Sequence, residues 1–96
     1  MDYQDSVKAN GKMGRVLVVD DVAVVRKSIQ TTLANAGYEV LEAEDGAQAI
    51  RMLQAAESPF RVDAILCDLR MPQLDGAELI ACFRRRYPAI PVVALI

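Results

Sequence analysis

The fold follows from one stretch, Val62-Asp63-Ala64-Ile65-Leu66-Cys67-Asp68-Leu69-Arg70-Met71-Pro72-Gln73-Leu74-Asp75-Gly76. Its short apolar run, residues 64–67, stops abruptly on a carboxylate, Asp68. Met71-Pro72 then forbids a helix, and Asp75-Gly76 opens a new helical pattern. An apolar run of this length between turn signals reads as a strand buried on both faces of a parallel sheet. Asp68 then sits at the strand's carboxyl end, the edge at which open α/β sheets place their sites.

Upstream, Arg15-Val16-Leu17-Val18-Val19 is a β-branched run with the character of a central strand, and it too ends on acid, Asp20-Asp21. From Val22 the period becomes helical. Val22, Val25, Ile29, Leu33 and Ala36 share one face, and Gly37 is the expected stop. Residues 38–43 alternate as a second, partly exposed strand. Asp45-Gly46 marks a turn or N-cap, and residues 47–57 carry Ala47, Ile50 and Leu53 at helical spacing, broken by Ser58-Pro59. After the Asp68 strand, residues 77–87 place Leu79, Ile80, Phe83 and Tyr87 on one helical face. Pro91-Val92-Val93-Ala94-Leu95-Ile96 begins a fourth strand.

This alternation of strands and helices predicts right-handed crossovers and an α/β fold with a doubly wound parallel sheet. The expected strand order is 2-1-3-4. Residues 1–14 are polar, lack periodicity and read as a flexible lead-in; residues 15–96 read as one domain.

Composition limits the chemistry. The 96 residues are 53% hydrophobic and 25% charged, with a net charge of −2, which suits a globular chain with no electrostatic attraction to nucleic acid or anionic membrane. No apolar run reaches membrane-spanning length, and the acidic, polar N-terminus has no signal-peptide core. Cys67 and Cys82 have no metal or redox spacing, which fits a reducing compartment and makes the cytoplasm the expected location. With no histidine in the chain, His-dependent triads, His metal ligands and a phosphohistidine carrier are excluded. The lysines are Lys8, Lys12 and Lys27, all in the first third.

If the first and third strands are neighbours, Asp20, Asp21 and Asp68 converge at one corner of the sheet. A single Asp at a strand end is most simply a cap or a solvated terminus. Three acids, following directly on two buried runs, would repel one another at high cost. A divalent cation removes that cost, and a site with few oxygen donors suits Mg²⁺, which keeps waters and shares ligands with phosphate. One carboxylate could then attack phosphorus and form an acyl phosphate.

These residues resemble the receiver (phospho-acceptor) domain of two-component response regulators. The resemblance rests on Val18-Val19-Asp20-Asp21, Ala36-Gly37-Tyr38-Glu39-Val40, Asp45-Gly46-Ala47-Gln48-Ala49, residues 63–76 and Ile90-Pro91-Val92-Val93, and it runs without gaps from residue 15 to residue 96. It implies a flavodoxin-like fold with the same strand order, so the predicted topology is not independent of it. It also implies that Asp68 is the phosphorylated residue, supplied by a histidine kinase or histidine phosphotransfer protein. Asp21 and Asp68 would be direct Mg²⁺ ligands, the backbone carbonyl of Arg70 a third, and Asp20 a ligand mostly through water. Pro72 and Gly76 would shape the loop after the acceptor. The domain would catalyse its own phosphorylation and dephosphorylation but would not be an enzyme acting on an external metabolite.

The chain departs from the family at two points. The fourth strand of receivers ends in Thr or Ser, and Ile96 stands there. The fifth strand with its lysine, and the last helix, are absent, so the sequence is expected to be part of a longer chain or a short form completed by a partner. A phosphorylation-independent pseudo-receiver is the alternative these departures favour. A phosphohydrolase of the haloacid-dehalogenase type would need a second Asp where Arg70 stands. Among smaller features, Val24 lies off the apolar stripe on the surface that meets kinase helices in receivers. Arg84-Arg85-Arg86 reads as a solvated helix terminus rather than a nucleic-acid contact. Arg70 is either a loop residue or a side chain over the phosphoryl site, and self-association into a homodimer is left open.

Overall fold

A computed structural model describes residues 13–55, 61–71 and 75–95. Most of the lead-in, with Lys8 and Lys12, lies outside the described residues, as do Ser58-Pro59, Pro72 and Ile96.

Each predicted element is present. The order is β1 (Arg15–Val19), α1 (Ala23–Asn35), β2 (Glu39–Ala43), α2 (Gly46–Ala55), β3 (Ala64–Asp68), α3 (Gly76–Arg86) and β4 (Val92–Leu95). The strands form one parallel sheet in the order β2-β1-β3-β4, as the sequence predicts. The chain is tied to the sheet ahead of β1: the Met13 N–H donates to the Gly37 carbonyl (2.8 Å) and the Glu39 N–H to that of Gly14 (2.8 Å).

Alternation along the strands divides the sheet into two faces. Leu17, Val19, Ala43, Ile65 and Cys67 join Ala49 and Leu53 of α2, Ile80 and Phe83 of α3, and Val62 and Met71 in a continuous apolar core. Val16 and Val18, out of phase by one residue, are buried on the opposite face, where α1 lies over β1 and β2.

The helix boundaries have local causes. Asp75 caps α3 by accepting from the Ala77 and Glu78 N–H groups, and Asp45 accepts from the Gln48 N–H at 2.7 Å. Gln48 reaches back to the Glu44 N–H, also at 2.7 Å, which tightens the entry to α2. At the end of α1, Gly37 takes φ +100°, while its N–H and that of Tyr38 close onto Ala34 and Leu33. This is the left-handed helix stop that the glycine predicts. Arg84, Arg85 and Arg86 are exposed in the last turn of α3.

One expectation is only partly met. The apolar stripe of α1 reads as a core face, yet no residue of α1 is buried, and Val22 and Val25 are 45% and 43% exposed. The reason is topological. Helices α2 and α3 both cross on the other side, so α1 is the single described helix on its face. Edge strand β4 shares this exposure, with Val93 50% exposed.

Candidate functional site: an acidic corner at the carboxyl ends of β1 and β3

Strand register builds the site. Val19 pairs with Cys67, so the residues that follow, Asp20 and Asp68, leave the sheet side by side at the carboxyl edge. The backbone N–H of Asp20 donates to the Ala43 carbonyl (3.1 Å), tying the end of β1 to the end of β2. Its carboxylate Oδ1 accepts the Val22 N–H at 2.9 Å, a side-chain turn that directs the chain into α1. Its carbonyl accepts from Arg26 Nη1 at 2.7 Å. Asp20 is fully buried, whereas Asp21 and Asp68 are half-buried. Asp68 is steadied from its own loop: its Oδ1 accepts the Arg70 N–H at 2.8 Å.

The convergence predicted from sequence is visible in the electrostatics. Burial pushes the Asp20 carboxyl above its ordinary value of 3.8, and the Asp68 and Asp21 carboxylates push the same way against the Val22 hydrogen bond. Burial likewise raises the Cys67 thiol to about 11, with Asp68 and Asp20 adding to it. Cys67 is therefore a core thiol, not a nucleophile.

Two buried oxygens here, Asp20 Oδ2 and Asp21 Oδ1, have no hydrogen-bond partner. Orphaned carboxylate oxygens in a crowded acidic corner are costly to bury, and a cation supplies what they lack. Among the described residues, no three His, Cys, Asp or Glu side chains are grouped so as to hold a metal ion. The donor set therefore does not fit a cation held wholly by protein. It fits one that keeps several waters, as Mg²⁺ does. Sequence reasoning found the acids but not Arg26, which lies within the helical pattern of α1 and belongs to no acidic motif.

Comparison with known proteins identifies the family. The response regulator receiver domain profile matches residues 16–95. The chain is 43% identical over 81 residues to the transcriptional regulatory protein PrrA of Mycobacterium tuberculosis, covering 84% of this chain and 33% of that protein. It thus spans about a third of the length of that relative. Among solved structures, the chemotaxis protein CheY4 of Vibrio cholerae superposes with a TM-score of 0.75 at 36% identity, covering 84% of this chain and 66% of that one. TrrA of Thermotoga maritima, solved in complex with Mg²⁺ and BeF, gives 0.73 at 29% identity, covering 83% and 66%. Among the described residues no helix is long and apolar enough to cross a membrane. With its motifs, strand order and acidic corner in agreement, the chain belongs to the response regulator receiver domain family of two-component signalling.

Proposed function

We propose that Asp68 accepts a phosphoryl group from a phosphohistidine on a sensor kinase or phosphotransfer protein, in a Mg²⁺-dependent reaction. The observation that carries this reading is the acidic corner itself, with two buried carboxylate oxygens lacking partners beside a half-buried Asp68. Asp21, Asp68 and the Arg70 carbonyl would hold the cation, and Asp20 would act on it through water. When bound, Mg²⁺ neutralises the acids and the charge of the transferring group. The mixed exposure supports this division, since the fully buried Asp20 is the least accessible of the three.

The chain's own contribution is positioning. The Arg70 N–H holds Asp68 Oδ1 and so fixes the rotation of the carboxylate. The other oxygen of Asp68 attacks phosphorus, the P–N bond to the donor imidazole breaks, and an acyl phosphate forms on Asp68. Hydrolysis reverses the state: water attacks phosphorus, inorganic phosphate leaves, and the carboxylate returns. No external metabolite is turned over, so the domain is a switch and not an enzyme in the metabolic sense. The similarity to TrrA, itself solved with Mg²⁺ and BeF, supports the cation assignment.

The donor would approach over the start of α1. Val22 and Val25 are partly exposed there and Val24 is 80% exposed, one turn beyond the acidic pair. Such an apolar patch suits a helix of the donor protein. The test is intact mass after incubation with acetyl phosphate, with and without Mg²⁺, for the wild type and Asp68→Asn. A single phosphoryl adduct that requires both Mg²⁺ and Asp68 is expected. No adduct on folded wild type overturns the proposal and favours a module that signals by contact alone.

A further inference from the structure

We infer that Arg26 is a positioning residue for the acidic corner: oriented by Glu42, its guanidinium grips the main-chain carbonyl of Asp20 and sets the loop that presents Asp20 and Asp21. The inference rests on the function proposed above and adds a residue to it.

Arg26 lies in the first turns of α1, and its side chain is only 15% exposed. Its Nη1 donates to the Asp20 carbonyl at 2.7 Å, while its Nε meets Glu42 Oε1 at 3.3 Å. The other carboxylate oxygen of Glu42 accepts from Lys27 Nζ at 2.9 Å. Glu42 therefore stands on β2 between two consecutive cations of α1. Strand alternation puts it on the α1 face of the sheet, in register with the buried Val18. An acid at such a position is explained by the guanidinium it orients. The guanidinium thus divides its donors between a short bond to the Asp20 carbonyl and a longer ion pair with Glu42, a geometry that its planar fork holds in place.

The grip matters because of what else holds Asp20. Its N–H is bound to Ala43 and its Oδ1 to the Val22 N–H. With the carbonyl held by Arg26, each polar group of Asp20 except Oδ2 has a partner on the chain. Without Arg26 the carbonyl joining Asp20 to Asp21 is released, and the two acids lose their fixed relation. Arg26 touches neither Asp68 nor a carboxylate of the site in any hydrogen bond seen here. Its effect passes through the Asp20 backbone.

The test measures Mn²⁺ binding from the EPR signal of the free ion, on wild type and variants shown by circular dichroism to be folded. Arg26→Ala should weaken Mn²⁺ binding about tenfold, the size expected for losing one charge-assisted hydrogen bond. Arg26→Lys, which returns a cation and a donor, should recover part of the loss. Glu39→Gln breaks the comparable Arg15–Glu39 pair at the opposite end of the same two strands (3.0 Å) and should leave binding within about twofold of wild type. If Arg26→Ala does not fold, Glu42→Gln decides, with weaker binding expected. Unchanged affinity in the deciding variant overturns the inference. So does a loss as large in Glu39→Gln, or no recovery with Lys. Wild type that binds no Mn²⁺ instead overturns the functional reading on which the inference stands.

Discussion

Gly76 is packed directly against the backbone of Leu69: a Cβ at Gly76 would lie 2.6 Å from the Leu69 Cα and 2.7 Å from the carbonyl oxygen of Asp68. The first residue of α3 thus closes over the loop that leaves the acceptor, with no room for any side chain. Since both opposing atoms are backbone, relief requires movement of the Asp68 loop itself. Gly76→Ala should destabilise the domain by about 1–3 kcal/mol, the usual range for overpacking. It should also slow phosphorylation in protein that is still folded. Urea denaturation and a phosphorylation time course check both parts, and an alanine variant equal to wild type in both would contradict the packing account.

Glu42 gives the network around α1 a defined pH dependence. The hydrogen bond from Lys27 holds its carboxyl below the ordinary value of 4.5, against the effect of burial, and Arg26 adds to the lowering. A carboxyl with a depressed folded-state value contributes stability that is complete above the unfolded value and lost as pH falls through the folded one. Because Lys27 is largely exposed, solvent screening limits the contribution to about 1 kcal/mol. Glu42→Gln should therefore lower stability by about that amount at pH 7, and the gap should close progressively below pH 4.5. Paired thermal melts across that range measure it. A constant gap would show that the carboxylate charge is not the source.

Among the described residues β4 is an edge strand with Val93 half exposed, a template for pairing with another chain. Val93→Lys should reduce concentration-dependent self-association of the 96-residue chain, as read by light scattering. Because the side chain is already half exposed, stability should change by no more than about 0.5 kcal/mol. Unaltered self-association would place the contact elsewhere.

The scaffold is largely legible in the sequence, because each strand is a β-branched or apolar run and each helix carries its own period. Asp45-Gly46 and Asp75-Gly76 announced the starts of α2 and α3. Both helices begin at the glycine, one residue earlier than read, since a helix whose first position is pressed against a neighbour can require glycine there. The convergence of Asp20, Asp21 and Asp68 follows from β1 and β3 being neighbours.

Three features were not legible, each for a physical reason. Periodicity reveals that one face of α1 is apolar but not whether anything covers it, so the exposure of Val22 and Val25 could not be read from spacing. The Arg26–Asp20 bond joins a side chain to a main-chain carbonyl, and carbonyls leave no trace in residue identity. The bond to Asp68 likewise uses a main-chain group, the Arg70 N–H, donating to the carboxylate. Resemblance drew attention to the Arg70 carbonyl, while the structure adds its N–H.

The most direct measurement locates the phosphoryl group chemically. After reaction with acetyl phosphate and Mg²⁺, borohydride reduces an acyl phosphate to the alcohol and converts the modified aspartate to homoserine, which peptide mass spectrometry assigns to one position. The account predicts homoserine at position 68 alone, and none when Mg²⁺ is withheld. Homoserine at position 20 or 21, or none in folded protein, would contradict it.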